Sequence, residues 1–291
     1  MDDAAFPRPA ESDDPSGRHI VDVLIEERAP KLSTSAAWPI VRPLLYRLLD
    51  YRKARAMADA IAPMSGQASL DFVSELLSLE VAVEGLDNLP RQGRQMIVAN
   101  HPTGIADGIA VYDALKAARP DLIFYANADA RRVCPRLDET IIPVEWVAAK
   151  RTRDRTRLTL TMTRAVMEAE RALIVFPAGK LARRGADGVL TDPEWMPTAI
   201  SVAAKYEAPV IPMHVAGPWA ALFHLFDRFS GELRDITLFH ELLNKSGRRF
   251  RVVVGRPISP DTLDPDAAVA SAAIKAYVER VLPAEPDRPF A

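Results

Sequence analysis

The chain has 291 residues, of which 48% are hydrophobic and 26% charged, and its 37 basic residues nearly balance its 39 acidic ones. This composition is typical of a globular protein with a sizeable core, and it excludes a mainly disordered chain. A formal net charge of −2 argues against a general binder of polyanions, so we expect no nucleic-acid partner. The longest apolar runs are about seven residues, well short of the roughly 18 that span a bilayer.

The two ends of the chain differ in composition from its middle. Residues 1–18 are rich in Pro, Asp and Ser and predict a disordered leader without the basic and apolar regions of a signal peptide. Three prolines mark 283–291 as a frayed tail. The single cysteine, Cys134, has no partner for a disulfide and is interpreted as a small buried residue. We therefore expect a protein of the reducing cytoplasm.

Residues 19–80 predict an N-terminal segment of two short helices. Within 38–62, four leucines at 44, 45, 48 and 49 stand among basic and aromatic residues, an amphipathic pattern. Such a helix can lie on a membrane surface or pack on the protein's own core, and the segment alone does not decide between them.

From residue 81 onward, strands and helices alternate. Short runs rich in Val and Ile recur at 81–83, 96–99, 122–125, 141–146, 173–176, 210–215 and 251–254. Stretches of helical length separate them, at 108–118, 154–169, 194–206 and 264–282. This alternation predicts an α/β domain over 81–282, with a mixed, largely parallel sheet flanked by helices. Functional groups in such folds gather beyond the carboxyl ends of strands, which directs attention to the segments after Ala99 and Phe176.

The first strand-end motif is Asn-His-Pro-Thr-Gly-Ile-Ala-Asp-Gly at 100–108. A histidine at a strand end has a near-neutral pKa and can take a proton from a hydroxyl. Asp107, at the start of the next helix, can turn back and accept a hydrogen bond from the second ring nitrogen of His101. Gly104 and Gly108 permit the tight path that this reversal needs. In the alternative interpretation, Asp107 only caps the helix and His101 is a turn residue.

The second motif is Phe-Pro-Ala-Gly-Lys-Leu-Ala-Arg-Arg-Gly at 176–185. A turn at a strand end is followed at once by three cations, which can meet in one anion pocket: Lys180, Arg183 and Arg184. The alternative is a solvated basic loop.

Together with Val-Ile-Pro-Met-His at 210–214, the two motifs resemble the glycerolipid (lysophospholipid) acyltransferase superfamily, over roughly residues 80–256. The form His-Pro-x-Gly-x-x-Asp-Gly is more similar to the branch with ornithine-lipid and hemolysin-like acyltransferases than to the branch that forms phosphatidic acid. The chain departs from the common pattern in having five residues, not four, between His101 and Asp107, a difference that Gly104 can absorb. It also has Ala178 where the pattern has Glu, and Lys180 and Leu181 where it has Thr and Arg, which favours an acceptor other than glycerol 3-phosphate.

The resemblance implies transfer of an acyl group from an acyl-carrier-protein or coenzyme A thioester to the hydroxyl of a lysophospholipid or lyso-ornithine lipid. His101 would deprotonate the hydroxyl and Asp107 would hold its ring. The residues expected to contact substrate are Asn100, Gly104, Phe176, Pro177, Gly179, Lys180, Arg183 and Arg184. No Gly-x-Ser-x-Gly elbow is present, so we expect direct attack without an acyl-enzyme. The alternatives are an ester or thioester hydrolase, and a non-enzymatic lipid-binding protein of the same fold.

Charge is distributed unevenly along the chain. Residues 148–184 contain ten basic and three acidic residues, so this stretch carries a net charge of +7 and the remainder −9. Such a basic face suits anionic lipid headgroups, an acidic carrier protein or the phosphates of coenzyme A. We therefore expect a peripheral protein on the inner face of the membrane. The ten cations are Lys150, Arg151, Arg153, Arg155, Arg157, Arg164, Arg171, Lys180, Arg183 and Arg184.

The segment 219–243 combines many aromatic and leucine residues with Arg and Asp. It can form an acyl-chain channel or an interfacial contact, and core packing is the alternative. The remaining histidines lack metal-ligand spacing, and the chain has no glycine-rich nucleotide loop. We expect neither a metal nor a bound cofactor.

Overall fold

The computed structural model describes residues 17–145, 152–185 and 188–291. Most of the predicted leader, the end of the fourth predicted strand at Trp146, and the cations Lys150 and Arg151 lie outside the described residues.

Between residue 17 and the first strand the structure has five helices, where the sequence pattern predicted two. The predicted helix over 38–62 divides at Leu49 and Asp50, because Asp50 adopts a left-handed backbone conformation with φ of 53°. The five helices are α1 (Ile20–Arg28), α2 (Pro30–Ser33), α3 (Trp38–Leu48), α4 (Tyr51–Ile61) and α5 (Gly66–Leu77).

A seven-stranded sheet follows, and it confirms the predicted α/β class. The strands lie in the order β1-β9-β8-β2-β5-β3-β4. All neighbouring pairs are parallel except β8 with β9, so β1 and β9 run opposite to the other five. The strands are β1 (Glu80–Glu84), β2 (Gln95–Ala99), β3 (Leu122–Asn127), β4 (Ile141–Val144), β5 (Ala172–Val175), β8 (Val210–Ala216) and β9 (Arg249–Val254).

A small antiparallel hairpin between β5 and β8 was not predicted. Its strands, β6 (Arg183–Arg184) and β7 (Leu190–Thr191), have only two residues each and therefore leave no periodic pattern in the sequence. The hairpin begins within the second motif, because the two arginines of that motif form β6.

Helices cover both faces of the sheet. Side chains of β2 alternate between two cores: Ile97 and Ala99 pack with the N-terminal helices, and Met96 and Val98 pack on the opposite face. No helix in the described ranges is long and apolar enough to cross a membrane. The remaining helices are α6 (Ile105–Leu115), α7 (Ala130–Val133), α8 (Arg153–Glu168), α9 (Thr198–Lys205), α10 (Ala221–Asp227), α11 (Gly231–Asp235), α12 (Leu238–Leu243) and α13 (Ala267–Ala276), the last continued by a π-helical turn (Tyr277–Val281).

Candidate active site

The first motif leaves the centre of the sheet at the carboxyl end of β2. The side-chain amide of Asn100 donates to the Val215 carbonyl over 2.9 Å and accepts from the Val215 N–H over 2.7 Å. These two bonds continue the pairing of β2 with β8 beyond Ala99. Asn100 thus fixes the direction in which the chain enters the motif, and its expected contact with substrate stays a prediction.

His101 and Asp107 lie side by side, as the sequence predicted. The imidazole Nδ1 is 2.9 Å from Asp107 Oδ2, and the Asp107 side chain has no solvent exposure while that of His101 is 17% exposed. Because an ionised carboxylate only accepts hydrogen bonds, Nδ1 carries the proton and Nε2 has a lone pair. No hydrogen bond engages Nε2 within the described residues. The pair has the arrangement of a general base and its orienting carboxylate.

Three further donors hold the Asp107 carboxylate. The Thr103 hydroxyl lies 2.6 Å from Oδ1, and the backbone N–H groups of Thr103 and Gly104 lie 2.8 and 3.0 Å from Oδ2. Asp107 therefore caps α6 and contacts the ring of His101 at the same time. Gly104 absorbs the extra residue of this motif with a φ of 102°, whereas Gly108 lies within α6 and the turn does not use it.

The second motif packs against the first. The Phe176 ring stacks on the imidazole of His101, with centroids 4.5 Å apart and planes at 25°. The Gly179 N–H donates to the Phe176 carbonyl over 2.9 Å, which closes the turn that Pro177 begins, and Gly179 has a φ of 60°. Ala178 is buried in the core. A glutamate at this position would place its carboxylate there, which gives a physical reason for the departure from the common pattern.

The three predicted cations have different surroundings. Arg183 is half-buried, with Nη1 2.9 Å from Asp227 Oδ2 and its guanidinium 4.8 Å from the Phe223 ring. Arg184 is exposed and lies 4.4 Å from the ring of Trp219. Lys180 is exposed as well, and no carboxylate of the described residues pairs with it.

We call these side chains and their neighbours the cation–aromatic cluster: Arg183, Arg184, Trp219, Phe223, His224, Asp227 and Arg234. His224 stacks on Trp219 at 3.8 Å, and burial, aided by the charge of Arg183, lowers the pKa of His224. Arg234 completes the cluster with an ion pair of 2.8 Å to Asp227. The segment 219–243 is mixed, because Phe223 and Phe239 are buried while Trp219, Leu225 and Phe229 are 37%, 48% and 75% exposed.

Sequence reasoning missed a buried carboxylate beside His101. Asp192 lies 91 residues further along the chain, and its carboxylate accepts the backbone N–H of His101 over 3.1 and 3.2 Å. Trp195 donates to the same carboxylate over 2.8 Å. No motif marks Asp192 in the sequence, since its role depends on a contact between distant segments.

Metal-ligand clusters of three or more His, Cys, Asp or Glu side chains are absent from the part of the chain that the structure describes. Cys134 is buried, with Sγ 3.6 Å from the Ser69 hydroxyl and 3.5 Å from the Met64 carbonyl.

The chain is similar to several known proteins. A family model described as Acyltransferase matches residues 80–216, a span that contains both motifs. A lyso-glycine lipid O-acyltransferase of Bacteroides thetaiotaomicron is 26% identical over 250 residues, covering 84% of this chain and 89% of the relative. A lyso-glycine lipid O-acyltransferase of Phocaeicola vulgatus is 27% identical over 201 residues, covering 67% and 70%. The crystal structure of the 1-acyl-sn-glycerophosphate acyltransferase PlsC from Thermotoga maritima aligns with a TM-score of 0.49 and 16% identity, covering 74% of this chain and 78% of that one.

The family match and the two relatives agree with the motifs from which the sequence resemblance was drawn. Residues 80–216 match the Acyltransferase family, and the chain is an O-acyltransferase similar to these two enzymes.

Proposed function

We propose that the protein transfers an acyl group from a thioester to the free hydroxyl of a lysolipid, with His101 as the general base. The observation that carries this proposal is the 2.9 Å contact between His101 Nδ1 and the fully buried carboxylate of Asp107. Nε2 takes the proton of the acceptor hydroxyl, and the oxygen attacks the thioester carbonyl. As the tetrahedral intermediate collapses, the C–S bond breaks and the thiolate receives the proton from the imidazolium. Asp107 stabilises that imidazolium while it exists.

For the acceptor, we propose a lysolipid with an amino-acid headgroup of the lyso-glycine or lyso-ornithine type. The two relatives are named for a lyso-glycine lipid. A glycine headgroup joined to its acyl chain through nitrogen carries one free carboxylate. Arg184 and Lys180 are exposed cations on the segment that follows Phe176, and a guanidinium matches the geometry of a carboxylate.

For the donor, we propose an acyl-carrier-protein or coenzyme A thioester. Helix α8 follows β4, which ends roughly 14 Å from the end of β2 because the two strands are three positions apart in the sheet. Thr159 of α8 donates to the Pro143 carbonyl of β4. Arg153, Arg157 and the 62%-exposed Leu160 are all exposed on this helix. Exposed cations suit both the acidic carrier protein and the phosphates of coenzyme A.

The test is a transfer assay with purified protein, both thioester donors, and lyso-glycine lipid, lyso-ornithine lipid and lysophosphatidic acid as acceptors. We expect a diacylated product with an amino-acid lysolipid and none with His101→Ala. His240→Ala is a matched control, because His240 forms a similar pair with Asp50, 3.0 Å apart, between α12 and the start of α4. It should retain activity. Full activity of His101→Ala, or release of free fatty acid without a diacylated lipid, would contradict the proposal.

We also propose that α3 holds the protein on the membrane surface. Its residues Ile40, Leu44 and Leu48 recur every fourth position and are 81%, 71% and 47% exposed, so they form one apolar stripe. Arg42 and Arg47 are exposed on the same helix and suit anionic headgroups. Leu45 and Leu49 face the core instead.

Replacing a residue of this stripe tests the membrane contact. Leu44→Gln should weaken binding to vesicles that contain phosphatidylglycerol by about tenfold, the effect of losing one buried leucine. Val269→Gln is the control, because Val269 is 51% exposed on α13, which carries no such stripe. Co-sedimentation measures both variants, and equal binding of Leu44→Gln and wild type would refute the role of α3.

A further inference from the structure

Both polar groups of the His101 backbone are held by the hairpin of β6 and β7. The N–H of Ala182, just before β6, donates to the His101 carbonyl over 2.9 Å. The carboxylate of Asp192, just after β7, accepts the His101 N–H over 3.1 and 3.2 Å. The same hairpin carries Arg183 and Arg184, so the segment that contacts the backbone of His101 also contributes to the cation–aromatic cluster.

Asp192 itself is held from two sides. It is 4% exposed, and the indole N–H of Trp195 donates to its Oδ2 over 2.8 Å. The Asp192 N–H donates to Glu279 over 2.6 Å, and Glu279 is paired with Lys275 at 2.7 Å. Burial is the main reason that the pKa of Asp192 is raised, to about 6. Lys275 of α13 and Glu279 of the π-helical turn thus hold Asp192 in its position against His101.

We propose that Asp192 is a positioning residue for acyl transfer: it fixes the backbone of His101 and places a second buried negative charge beside the imidazolium that forms there. This inference rests on the proposed function of His101. The carboxylate of Asp107 contacts the ring of the histidine, and that of Asp192 contacts its backbone. Negative charge in a buried site stabilises a developing cation far more than it does in water.

A purely structural role explains the charge of Asp192 less well. Removing a carboxylate from water is costly, and a neutral asparagine can also accept the N–H of His101 at a lower desolvation cost. The charges that act on Asp192 include those of His101 and Glu279, and Glu279 is itself paired with Lys275. Lys275 is already paired with Glu279. The charge of Asp192 is therefore placed to stabilise the imidazolium of His101.

The experiment compares Asp192→Asn and Asp192→Ala with wild type in steady-state transfer assays over a range of pH. For Asp192→Asn we expect kcat to fall about tenfold with little change in KM, because the lost charge acts on the transition state. The acidic limb of the pH profile should move to lower pH, because the imidazolium loses a stabilising charge. Asp192→Ala should lose more activity, since the N–H of His101 then has no acceptor.

A matched control separates this effect from loss of a buried carboxylate in general. Asp138 has a half-buried side chain paired with Arg131, and its pKa is also raised by burial, but it lies beside α7. Asp138→Asn should leave kcat and the pH profile unchanged. If Asp192→Asn keeps the wild-type kcat and pH profile, the positioning role is wrong while the proposed function stands. If wild type itself transfers no acyl group, the proposed function fails first.

Discussion

The loop with His101 follows β2, and the arginines of the cation–aromatic cluster follow the neighbouring strand β5. The polar atoms of the two regions differ in burial and in hydrogen bonding. The loop is closed: the Asp107 carboxylate has four hydrogen-bond donors and no exposure, and the His101 backbone is held on both sides. The cluster is open: Arg184 is exposed and rests on an indole ring instead of a carboxylate.

This difference assigns the two regions to different parts of the reaction. Groups that are fixed and desolvated before substrate arrives are suited to stabilise a transition state. Exposed cations lose part of their hydration only when a ligand binds, so they are suited to determine which headgroup is bound. Mutations in the loop should therefore act on kcat, and mutations in the cluster should act on KM.

The largest effect is expected from Asp107→Asn, which keeps the shape of the loop. The three N–H groups that reach Oδ2 favour an amide oxygen at that place, so the ring stays oriented, but the negative charge that stabilises the imidazolium is lost. We expect kcat to fall by about 10³-fold, with KM little changed. Transfer kinetics measure this effect, and thermal unfolding checks that the variant folds. A loss smaller than tenfold in a folded variant would remove Asp107 from the mechanism.

The next effect concerns stability, and it tests whether the buried charge of Asp192 is costly to the fold. Burial raises the pKa of Asp192 from 3.8 to about 6, so between these values the folded protein binds more protons than the unfolded chain. Protonation of Asp192 therefore adds to the free energy of unfolding. This addition is fully present below pH 4 and is lost as pH rises through 6, and it amounts to at most about 3 kcal/mol.

Chemical denaturation at pH 4.5 and pH 7.5 checks this prediction. Asp192→Asn lacks the titrating group, so its stability relative to wild type should rise between the two pH values even though its activity falls. Because a residue with only a structural role would lose stability together with activity, an unchanged or lower relative stability at pH 7.5 would contradict a costly charge.

The smallest effect is expected in the open region. Arg184→Ala should raise KM for an amino-acid lysolipid about tenfold and leave kcat nearly unchanged, because a charged hydrogen bond to the headgroup is lost. Arg256→Ala is the control. Arg256 is exposed just after β9, and because β9 is antiparallel to β8 it lies at the opposite end of the strands from the site. Initial rates over a range of acceptor concentrations decide the matter. A fall in kcat at constant KM would place Arg184 with the loop instead.

Much of the site was visible in the sequence because its residues are close along the chain. His101 and Asp107 are six positions apart, and the buried strands before each motif leave clear apolar runs. Asp192 was not predicted, because its partner is a backbone N–H 91 residues away and no local sequence pattern indicates such a contact. The ion pair that occupies Arg183 was missed for the same reason, since Asp227 lies on a separate helix. The break at Asp50 depends on one left-handed residue, which the apolar pattern of the surrounding helix does not reveal.

The central claim is that His101 drives acyl transfer to a lysolipid, and lipid mass spectrometry of cells tests it most directly. Three strains are compared: one that lacks the protein, and the same strain complemented with wild type or with His101→Ala. We expect a lysolipid to accumulate and its diacylated form to be lost in the first and third strains, with wild type restoring both. An identical set of lipids in all three strains would contradict the claim.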